Sequence, residues 1–151
     1  YHRTWWDEGR GEEQDVRGVY YLSPDGDVVR VVDDYKQPNG LVGTPDGKVL
    51  YVADINDHKI WKYDIGADGL LSNKTYFAPH GSDGMTIDKE GNVYLTMGKV
   101  WVYSPAGELI EEIDIPESPS NICFGGKDKS TLFITARTSV YTLQTTMQGV
   151  N

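Results

Sequence analysis

The chain has 151 residues, enough for one ordinary folded domain with a hydrophobic core. Its 38% hydrophobic and 25% charged residues are typical of a soluble globular protein and not of a disordered one. Fourteen basic residues against 23 acidic ones give a net charge of -9, which repels phosphate backbones and anionic lipid. This charge argues against binding to nucleic acid or to a membrane surface.

The cellular compartment is left open by the sequence. No apolar run approaches the roughly 18 residues of a membrane-spanning helix. No signal peptide is visible, but the chain opens on Tyr1 without a start Met, so a cytoplasmic protein and a periplasmic or secreted one are both compatible with it. The single cysteine, Cys123, cannot form an internal disulfide, and its apolar neighbours Ile122 and Phe124 predict a small buried side chain.

The first 17 residues are predicted to form a loop or lid segment. Their aromatic start is followed by a dense charge run from Asp7 to Asp15, without the apolar periodicity of a helix or a strand. From Gly18 onward, short apolar runs alternate with turn signals such as Pro-Asp-Gly at 24–26 and 45–47. Strands are predicted at 19–22, 28–32, 41–43, 49–54, 59–64, 74–78, 85–87, 93–96, 100–103, 109–113, 122–124, 131–136 and 139–143.

A polar residue opens the first strand of each of three successive units. These residues are Asn39, Asp83 and Asn121, spaced 44 and 38 residues apart. Units of about 40–45 residues with four short strands and no helix pattern are typical of β-propeller blades. We predict an all-β protein over residues 18–151, a β-propeller of four-stranded antiparallel blades with about three blades present. A β-sandwich or an open meander is the alternative.

The blade count predicts that this chain does not close a propeller ring alone. Residues 49–52 are apolar on both alternating faces, as expected for a blade covered on both sides by its neighbours. Three blades alone would leave two large apolar faces in water, and such patches mark interfaces. We therefore predict that the chain completes a ring with a missing half, with a second chain or with another copy of itself.

The dipeptides Asn39-Gly40 and Asp83-Gly84 have two possible interpretations. Asn-Gly and Asp-Gly are strong hairpin-turn signals. Each unit, however, already has a separate turn between its first two strands, at 45–48, 88–92 and 125–130. The two dipeptides would then open the first strand of a unit, where equivalent residues of different blades meet at the axis of a propeller.

Several motifs, taken in order, resemble the SMP-30/gluconolactonase/luciferin-regenerating-enzyme-like family. They are Gly-Val-Tyr-Tyr-Leu at 18–22, Pro-Asn-Gly-Leu at 38–41, Leu-Tyr-Val-Ala-Asp at 50–54, Ser-Asp-Gly-Met-Thr-Ile-Asp at 82–88, Cys-Phe-Gly-Gly at 123–126 and Leu-Phe-Ile-Thr at 132–135. The resemblance covers nearly the whole chain from Gly18 to about Val150. It implies a six-bladed propeller that hydrolyses sugar lactones with a divalent metal in its central channel. This sequence corresponds to the C-terminal half of such a propeller, beginning within the third blade.

The resemblance also implies a set of metal ligands. The family holds its metal with a Glu near the N-terminus, an Asn opening the fourth blade and an Asp opening the fifth, and the last two match Asn39 and Asp83. The Glu has no counterpart here, nor do the third-blade Asn and the Arg that help hold substrate. Carboxylate and carboxamide oxygens suit a hard cation, so Ca²⁺ is favoured, with Mg²⁺, Mn²⁺ or Zn²⁺ as alternatives. The resemblance further assigns Asp83 as the base that accepts a proton from the attacking water.

Three further residues are candidates for contacting a sugar lactone. Asn121 occupies the axial position of the third unit, His80 lies three residues before Asp83, and Trp5 belongs to the predicted lid. The alternatives are a solvated loop histidine and aromatic side chains that pack the lid onto the domain. Ser82 beside His80 suggests a serine hydrolase, but no Gly-x-Ser-x-Gly elbow accompanies it.

A metal-dependent gluconolactonase-like lactonase is therefore the function that the sequence favours. Two alternatives keep the same architecture. One is a non-catalytic propeller that binds a partner or a sugar at its channel mouth. The other is a propeller of the strictosidine-synthase or paraoxonase type with a different substrate.

Overall fold

The computed structural model describes residues 14–150, which form thirteen strands. The strands are β1 (Val19–Leu22), β2 (Val28–Val32), β3 (Pro38–Gly43), β4 (Val49–Asp54), β5 (Lys59–Ile65), β6 (Leu71–Ala78), β7 (Met85–Ile87), β8 (Val93–Met97), β9 (Lys99–Tyr103), β10 (Leu109–Ile113), β11 (Pro119–Gly125), β12 (Thr131–Ala136) and β13 (Ser139–Gln144). Within the described residues there is no helix with the length and apolar character needed to cross a membrane.

The strands form four antiparallel sheets that follow one another along the chain. A two-stranded sheet, β1-β2, is followed by two four-stranded sheets in the orders β3-β4-β5-β6 and β7-β8-β9-β10, and then by the three-stranded sheet β11-β12-β13. The predicted all-β architecture of successive antiparallel blades is confirmed. Most of the predicted lid, including Trp5, lies outside the described residues, so the role of residues 1–17 stays a prediction.

Glycines allow the tight hairpins within the sheets. Gly47, between β3 and β4, has a φ of +68°, and Gly91, between β7 and β8, has a φ of +85°. Both values lie in the left-handed region, where any side chain with a Cβ is strained. The Pro-Asp-Gly and Glu-Gly-Asn signals therefore mark turns, as predicted.

The hydrophobic core lies between neighbouring sheets. One cluster joins the two four-stranded sheets and includes Ala53, Ile60, Phe77, Ile87, Val93 and Leu95. A second joins β7–β10 to β11–β13 and includes Tyr94, Val100, Val102, Ile122, Leu132 and Ile134. A third joins β1-β2 to β3–β6 and includes Val19, Val32, Val52 and Tyr63. The sheets in the middle of the chain are therefore covered on both faces, as in a row of blades.

The first and last sheets each leave apolar side chains uncovered. On β1-β2, Leu22 and Val28 are 65% and 66% exposed, and on β13 Val140 is 66% exposed. Cys123 is also exposed, so the prediction of a buried cysteine is wrong. On β11, Cys123 alternates with buried Ile122 and pairs across the ladder with exposed Phe133, which places it on the uncovered face of the last sheet.

Candidate functional site

The first strands of successive sheets meet at their openings. The Gly40 N–H donates to the Ser82 carbonyl oxygen over 3.1 Å, which links the start of β3 to the segment before β7. A Cβ added at Gly40 would lie 2.6 Å from the Asp83 carbonyl oxygen, and one added at Gly84 would lie 2.7 Å from the Asn121 Cα. Only glycine allows so close an approach of neighbouring backbones.

This packing distinguishes between the two interpretations of the dipeptides Asn39-Gly40 and Asp83-Gly84. Asn39 and Gly40 lie within β3, and neither Gly40 nor Gly84 has the positive φ of a primed hairpin turn. Each glycine instead lets the opening of one inner strand pack directly against the next. The interpretation of Asn39 and Asp83 as strand openings that converge is confirmed, and the hairpin interpretation is wrong.

Asn39 and Asp83 contact each other directly. The Asn39 Nδ2 donates a hydrogen bond to the Asp83 Oδ1 over 2.7 Å, although the residues belong to different sheets and are 44 positions apart in the sequence. Both residues are partly exposed. A carboxamide and a carboxylate therefore lie side by side and within reach of solvent.

Asp54 holds the chain that leads into Asn39. Its carboxylate is only 2% exposed and accepts the N–H groups of Lys36 and Gln37 over 2.7 and 2.8 Å. The Ile55 N–H also donates to the Gln37 carbonyl oxygen over 3.0 Å. Since a buried carboxylate needs such partners, Asp54 fixes the two residues before β3 and so the start of the strand that carries Asn39.

Sequence patterns do not predict this role of Asp54. The only signal in the sequence is a charged residue at the end of the otherwise apolar strand predicted at 49–54. Such a residue is usually solvated, and its partners Lys36 and Gln37 lie 18 and 17 positions earlier in the chain. Pairing of Pro38 with Asp54 brings them together.

Ser82 does not have the environment of a catalytic nucleophile. It is fully buried, its Oγ donates to the Gly84 carbonyl oxygen over 2.8 Å, and it accepts the Thr96 N–H over 2.9 Å. The hydroxyl therefore donates to one backbone group and accepts from another. This environment agrees with the absence of a serine-hydrolase elbow in the sequence.

His80 packs on an aromatic side chain. Its ring stacks on Trp101 with centroids 4.1 Å apart and planes inclined by 21°, and its centroid lies 5.8 Å from that of Tyr103. Burial among these rings lowers the pKa of His80 below its usual value of 6.5, with Glu112 opposing the shift. The imidazole is therefore mainly neutral at pH 7. Substrate contact by His80 stays a prediction.

Asn121 lies next to the segment that carries Asp83. Its side chain and its Cα pack against Gly84, and its Oδ1 accepts the N–H of Ile122 over 2.8 Å. The residue is exposed. Its predicted contact with substrate stays a prediction, as does that of Trp5.

The donor set fits a hard cation in part. Within residues 14–150 no group of three or more His, Cys, Asp or Glu side chains could hold a metal ion. Asn39 and Asp83 supply one carboxamide and one carboxylate, the oxygen donors that Ca²⁺ or Mg²⁺ prefers. The Asn39 Nδ2 donates to the Asp83 carboxylate, whereas a carboxamide binds a cation through its oxygen. The residues present are thus compatible with two ligands of an incomplete set.

Comparison with known proteins identifies the family. The sequence profile described as SMP-30/Gluconolactonase/LRE-like region matches residues 4–138. A gluconolactonase of Zymomonas mobilis is 36% identical over 159 residues, covering 95% of this chain and 44% of that protein. Regucalcin of Danio rerio is 34% identical over 129 residues, covering 78% of this chain and 44% of that protein.

A solved structure agrees with the sequence relatives. The gluconolactonase of Xanthomonas campestris superposes with a TM-score of 0.81 at 30% identity, covering 89% of this chain and 46% of that one. The chain thus spans about half the length of the proteins it matches, as expected for half of a propeller ring. On both sequence and fold, the chain belongs to the SMP-30/gluconolactonase/LRE-like family.

Proposed function

We propose that the complete protein containing this chain is a metal-dependent hydrolase of sugar lactones, with gluconolactone-like compounds as substrates. The observation that carries the proposal is the 2.7 Å hydrogen bond between Asn39 and Asp83, where the openings of β3 and β7 meet. Relatives named gluconolactonase share 30–36% of their aligned residues with this chain, which supports the same reaction class.

Asp83 has a position suited to a general base. Its carboxylate is partly exposed, so a water molecule can reach it, while the hydrogen bond from Asn39 fixes its Oδ1. In lactone hydrolysis, water adds to the carbonyl carbon, the ring C–O bond breaks, and the ring oxygen takes up a proton to give a hydroxy acid. Asp83 would accept the proton of the attacking water and return it to the leaving oxygen.

Asn39 and Asp83 are also the residues that would hold the divalent metal. A bound cation of this kind supplies polarisation of the lactone carbonyl and a lower pKa for coordinated water. The oxygen donors favour Ca²⁺, with Mg²⁺ or Mn²⁺ next, since Zn²⁺ more often recruits His or Cys. The remaining protein ligand, a Glu in the resemblance, would come from outside this chain.

The two uncovered faces support completion of a ring. Exposed apolar residues lie on β1-β2 and on β11–β13, and the chain spans 44% of the relatives' length. We infer that the missing half of the propeller, a second chain or a second copy covers them. Small-angle scattering on the 151-residue chain is the test, and a compact, stable monomer would contradict the inference.

Substrate contacts are proposed for three residues. Asn121 packs against Gly84, beside the proposed base, and so lies near any lactone bound there. His80 presents a neutral imidazole stacked on Trp101, which could donate or accept one hydrogen bond with a sugar hydroxyl. Trp5, in the predicted lid, would stack on the sugar ring.

A non-catalytic binding propeller is the second candidate function. It applies where no further ligand joins Asn39 and Asp83, since residues 14–150 contain no group of three or more His, Cys, Asp or Glu side chains able to hold a metal. Such a protein would bind a sugar or a partner at the channel mouth without turning it over.

Calorimetric titration with CaCl₂, followed by a pH-drop assay on gluconolactone, separates the two functions in the full-length protein. We expect Asp83→Ala to abolish calcium binding and to lower turnover by at least about 100-fold, the usual minimum contribution of a general base. Asp46→Ala, which changes an exposed carboxylate in the β3–β4 turn, is the matched control. If Asp83→Ala leaves binding and turnover intact, the site assignment is wrong. Calcium binding without turnover in the unmodified protein favours the binding propeller.

A further inference from the structure

Asp83 lies where the ladder between β7 and β8 stops. The last pair of that ladder is Met85 with Leu95, so the preceding residue, Gly84, lies opposite Thr96. Instead of continuing the backbone ladder, the Gly84 N–H donates to the Thr96 Oγ1 over 3.0 Å. The Gly84 carbonyl oxygen accepts the hydroxyl groups of Ser82 and Thr96 over 2.8 and 2.9 Å. Two side-chain hydroxyls therefore take the place of the backbone partners of Gly84.

Both hydroxyls are buried and completely used. Ser82 is 0% and Thr96 is 1% exposed. Each hydroxyl donates its proton to Gly84, and each oxygen accepts one N–H, from Thr96 to Ser82 over 2.9 Å and from Gly84 to Thr96 over 3.0 Å. We call Ser82 and Thr96 the hydroxyl pair. Because no donor is left over, loss of either hydroxyl leaves a buried backbone group without its partner.

The hydroxyl pair fixes the chain on both sides of Asp83. The residue before it is bound through its side chain, and the residue after it is bound through both backbone groups. The Asp83 N–H itself donates to the Thr96 carbonyl oxygen over 3.2 Å, and the Ser82 carbonyl oxygen accepts the Gly40 N–H over 3.1 Å. Only the side-chain torsions of Asp83 stay free, and its bond to Asn39 restricts those.

We propose that Ser82 and Thr96 are positioning residues, which hold the Asp83 carboxylate in register with the Asn39 carboxamide. The hydrogen bonds of the two hydroxyls go to backbone groups of Gly84 and Thr96, and none of them goes to the Asp83 carboxylate. The hydroxyl pair therefore acts on Asp83 through the backbone. The expected effect on metal binding and turnover rests on the proposed function. The expected effect on the geometry between Asn39 and Asp83 does not. Supporting partners of metal ligands commonly contribute roughly 10–100-fold to metal affinity or activity.

Polar side chains of the second strand also bind the chain near the other two strand openings, although with different partners. Ser120 precedes Asn121, and its Oγ lies 3.2 Å from the Thr135 Oγ1 and 3.3 Å from the Thr135 carbonyl oxygen. At β3 the position equivalent to Thr96 is Ala53, and the neighbouring Asp54 carboxylate binds the incoming chain instead. In each of the three sheets, therefore, a polar side chain of the second strand binds the chain within two residues of the candidate site residue. This recurrence favours a positioning role over a chance polar contact in the core.

The test uses isotope-labelled full-length protein and the side-chain amide signal of Asn39, which reports the bond to Asp83 without any need for turnover. The signal is assigned by its loss in Asn39→Asp. Thr96→Val, which keeps the shape but removes the hydroxyl, should move the signal toward that of a solvated amide. Thr96→Ser, which keeps the hydroxyl, should restore it. Ser130→Ala is the matched control, since Ser130 is also buried but its Oγ binds Gln144.

Calorimetry with CaCl₂ gives the second measurement on the same variants. We expect the calcium Kd to rise roughly 10–100-fold in Thr96→Val and to stay unchanged in Ser130→Ala. Ser82→Ala provides an independent variant if Thr96→Val does not fold. An unchanged amide signal and an unchanged Kd in a cooperatively folded variant would overturn the positioning role. If the unmodified protein binds no calcium while the amide signal still moves, the proposed function fails and the positioning role holds.

Discussion

The Asp54 carboxylate accepts the N–H of Gln37 over 2.8 Å while its other oxygen accepts the N–H of Lys36, and together they fix the approach to Asn39. Asp54 is only 2% exposed, so its carboxylate depends on these protein partners. Asn39, the proposed metal ligand at the start of β3, is thus supported by a carboxylate at the end of β4. The stability of the fold and the geometry of the candidate site depend on the same interaction.

Replacing Asp54 should destabilise the protein and weaken the site together. Asp54→Ala removes the carboxylate partner of two partly buried N–H groups, and an unsatisfied buried group costs about 1–3 kcal/mol. We expect the free energy of unfolding, measured by urea denaturation of the full-length protein, to fall within that range or slightly beyond it. Asp64→Ala, at an exposed position of the neighbouring β5, should change it little. Equal stabilities of the two variants would contradict the role assigned to Asp54.

Asp57 should make the stability of the β4–β5 loop depend on pH. Hydrogen bonds from Lys36 and Lys59 lower the pKa of Asp57 from 3.8 to about 2. A carboxyl group with a depressed pKa stabilises the folded state above its unfolded pKa, and this contribution disappears as the pH falls through the folded value. The difference in unfolding free energy between wild type and Asp57→Asn should therefore be constant above about pH 5 and shrink from about pH 4 to about pH 2.

A second variant checks the cause of that pH dependence. Lys36→Met removes the partner with the largest effect on the pKa of Asp57. It should therefore narrow the pH range over which the stability difference between wild type and Asp57→Asn shrinks. Because Lys36 is exposed and both Asp57 and Lys59 are partly exposed, the ion pairs should also weaken as salt is raised. A difference between wild type and Asp57→Asn that does not change from pH 5 to pH 2 would show that the lysines do not stabilise the ionised carboxylate.

Apolar runs and turn signals are sufficient to predict the sheets, because each of them consists of residues that are adjacent in the sequence. Strand limits were less accurate where pairing extends past the apolar run. β3 begins at Pro38 because Pro38 pairs with Asp54, and β6 begins at Leu71 because Leu71 pairs with Ile65. Local patterns cannot show such extensions.

Other features depend on residues distant in the chain or outside it. Thr96 looks like an ordinary strand threonine until its partner Gly84, 12 positions away, is known. Alternation along β11 correctly puts Ile122 and Cys123 on opposite faces, but it does not say which faces a neighbour covers. Burial of Cys123 was predicted from its apolar neighbours, and it fails because nothing in the described residues covers that face of the last sheet.

His80 should titrate below the usual range of histidine. Burial against Trp101 and Tyr103 lowers its pKa, since desolvation disfavours the imidazolium. Trp101→Leu exposes the ring and should raise that pKa toward 6.5, as measured by the imidazole proton shifts in NMR. Because the folded state takes up this proton less readily than the unfolded state, the free energy of unfolding should fall as the pH drops below about 6.5.

His80→Phe separates packing from substrate contact. Phenylalanine can keep the stacking on Trp101 but cannot form a hydrogen bond with a sugar hydroxyl. We expect near-normal stability in this variant, with a higher KM for gluconolactone if His80 contacts the substrate. Normal stability with an unchanged KM would restrict His80 to a packing role.

Gly40 and Gly43 provide a comparison within one strand. A Cβ at Gly40 would lie 2.6 Å from the Asp83 carbonyl oxygen, whereas one at Gly43 would meet only the Val49 carbonyl oxygen at an ordinary 3.7 Å. Gly40→Ala must push β3 away from the segment that carries Asp83, and overpacking of this kind costs about 1–3 kcal/mol. Gly43→Ala removes the entropy penalty of glycine in a strand and should be neutral or slightly stabilising. We expect Gly40→Ala also to lengthen the bond between Asn39 and Asp83, which the Asn39 side-chain amide signal would report. If both alanine variants unfold at the same urea concentration, close packing of the strand openings does not position the site.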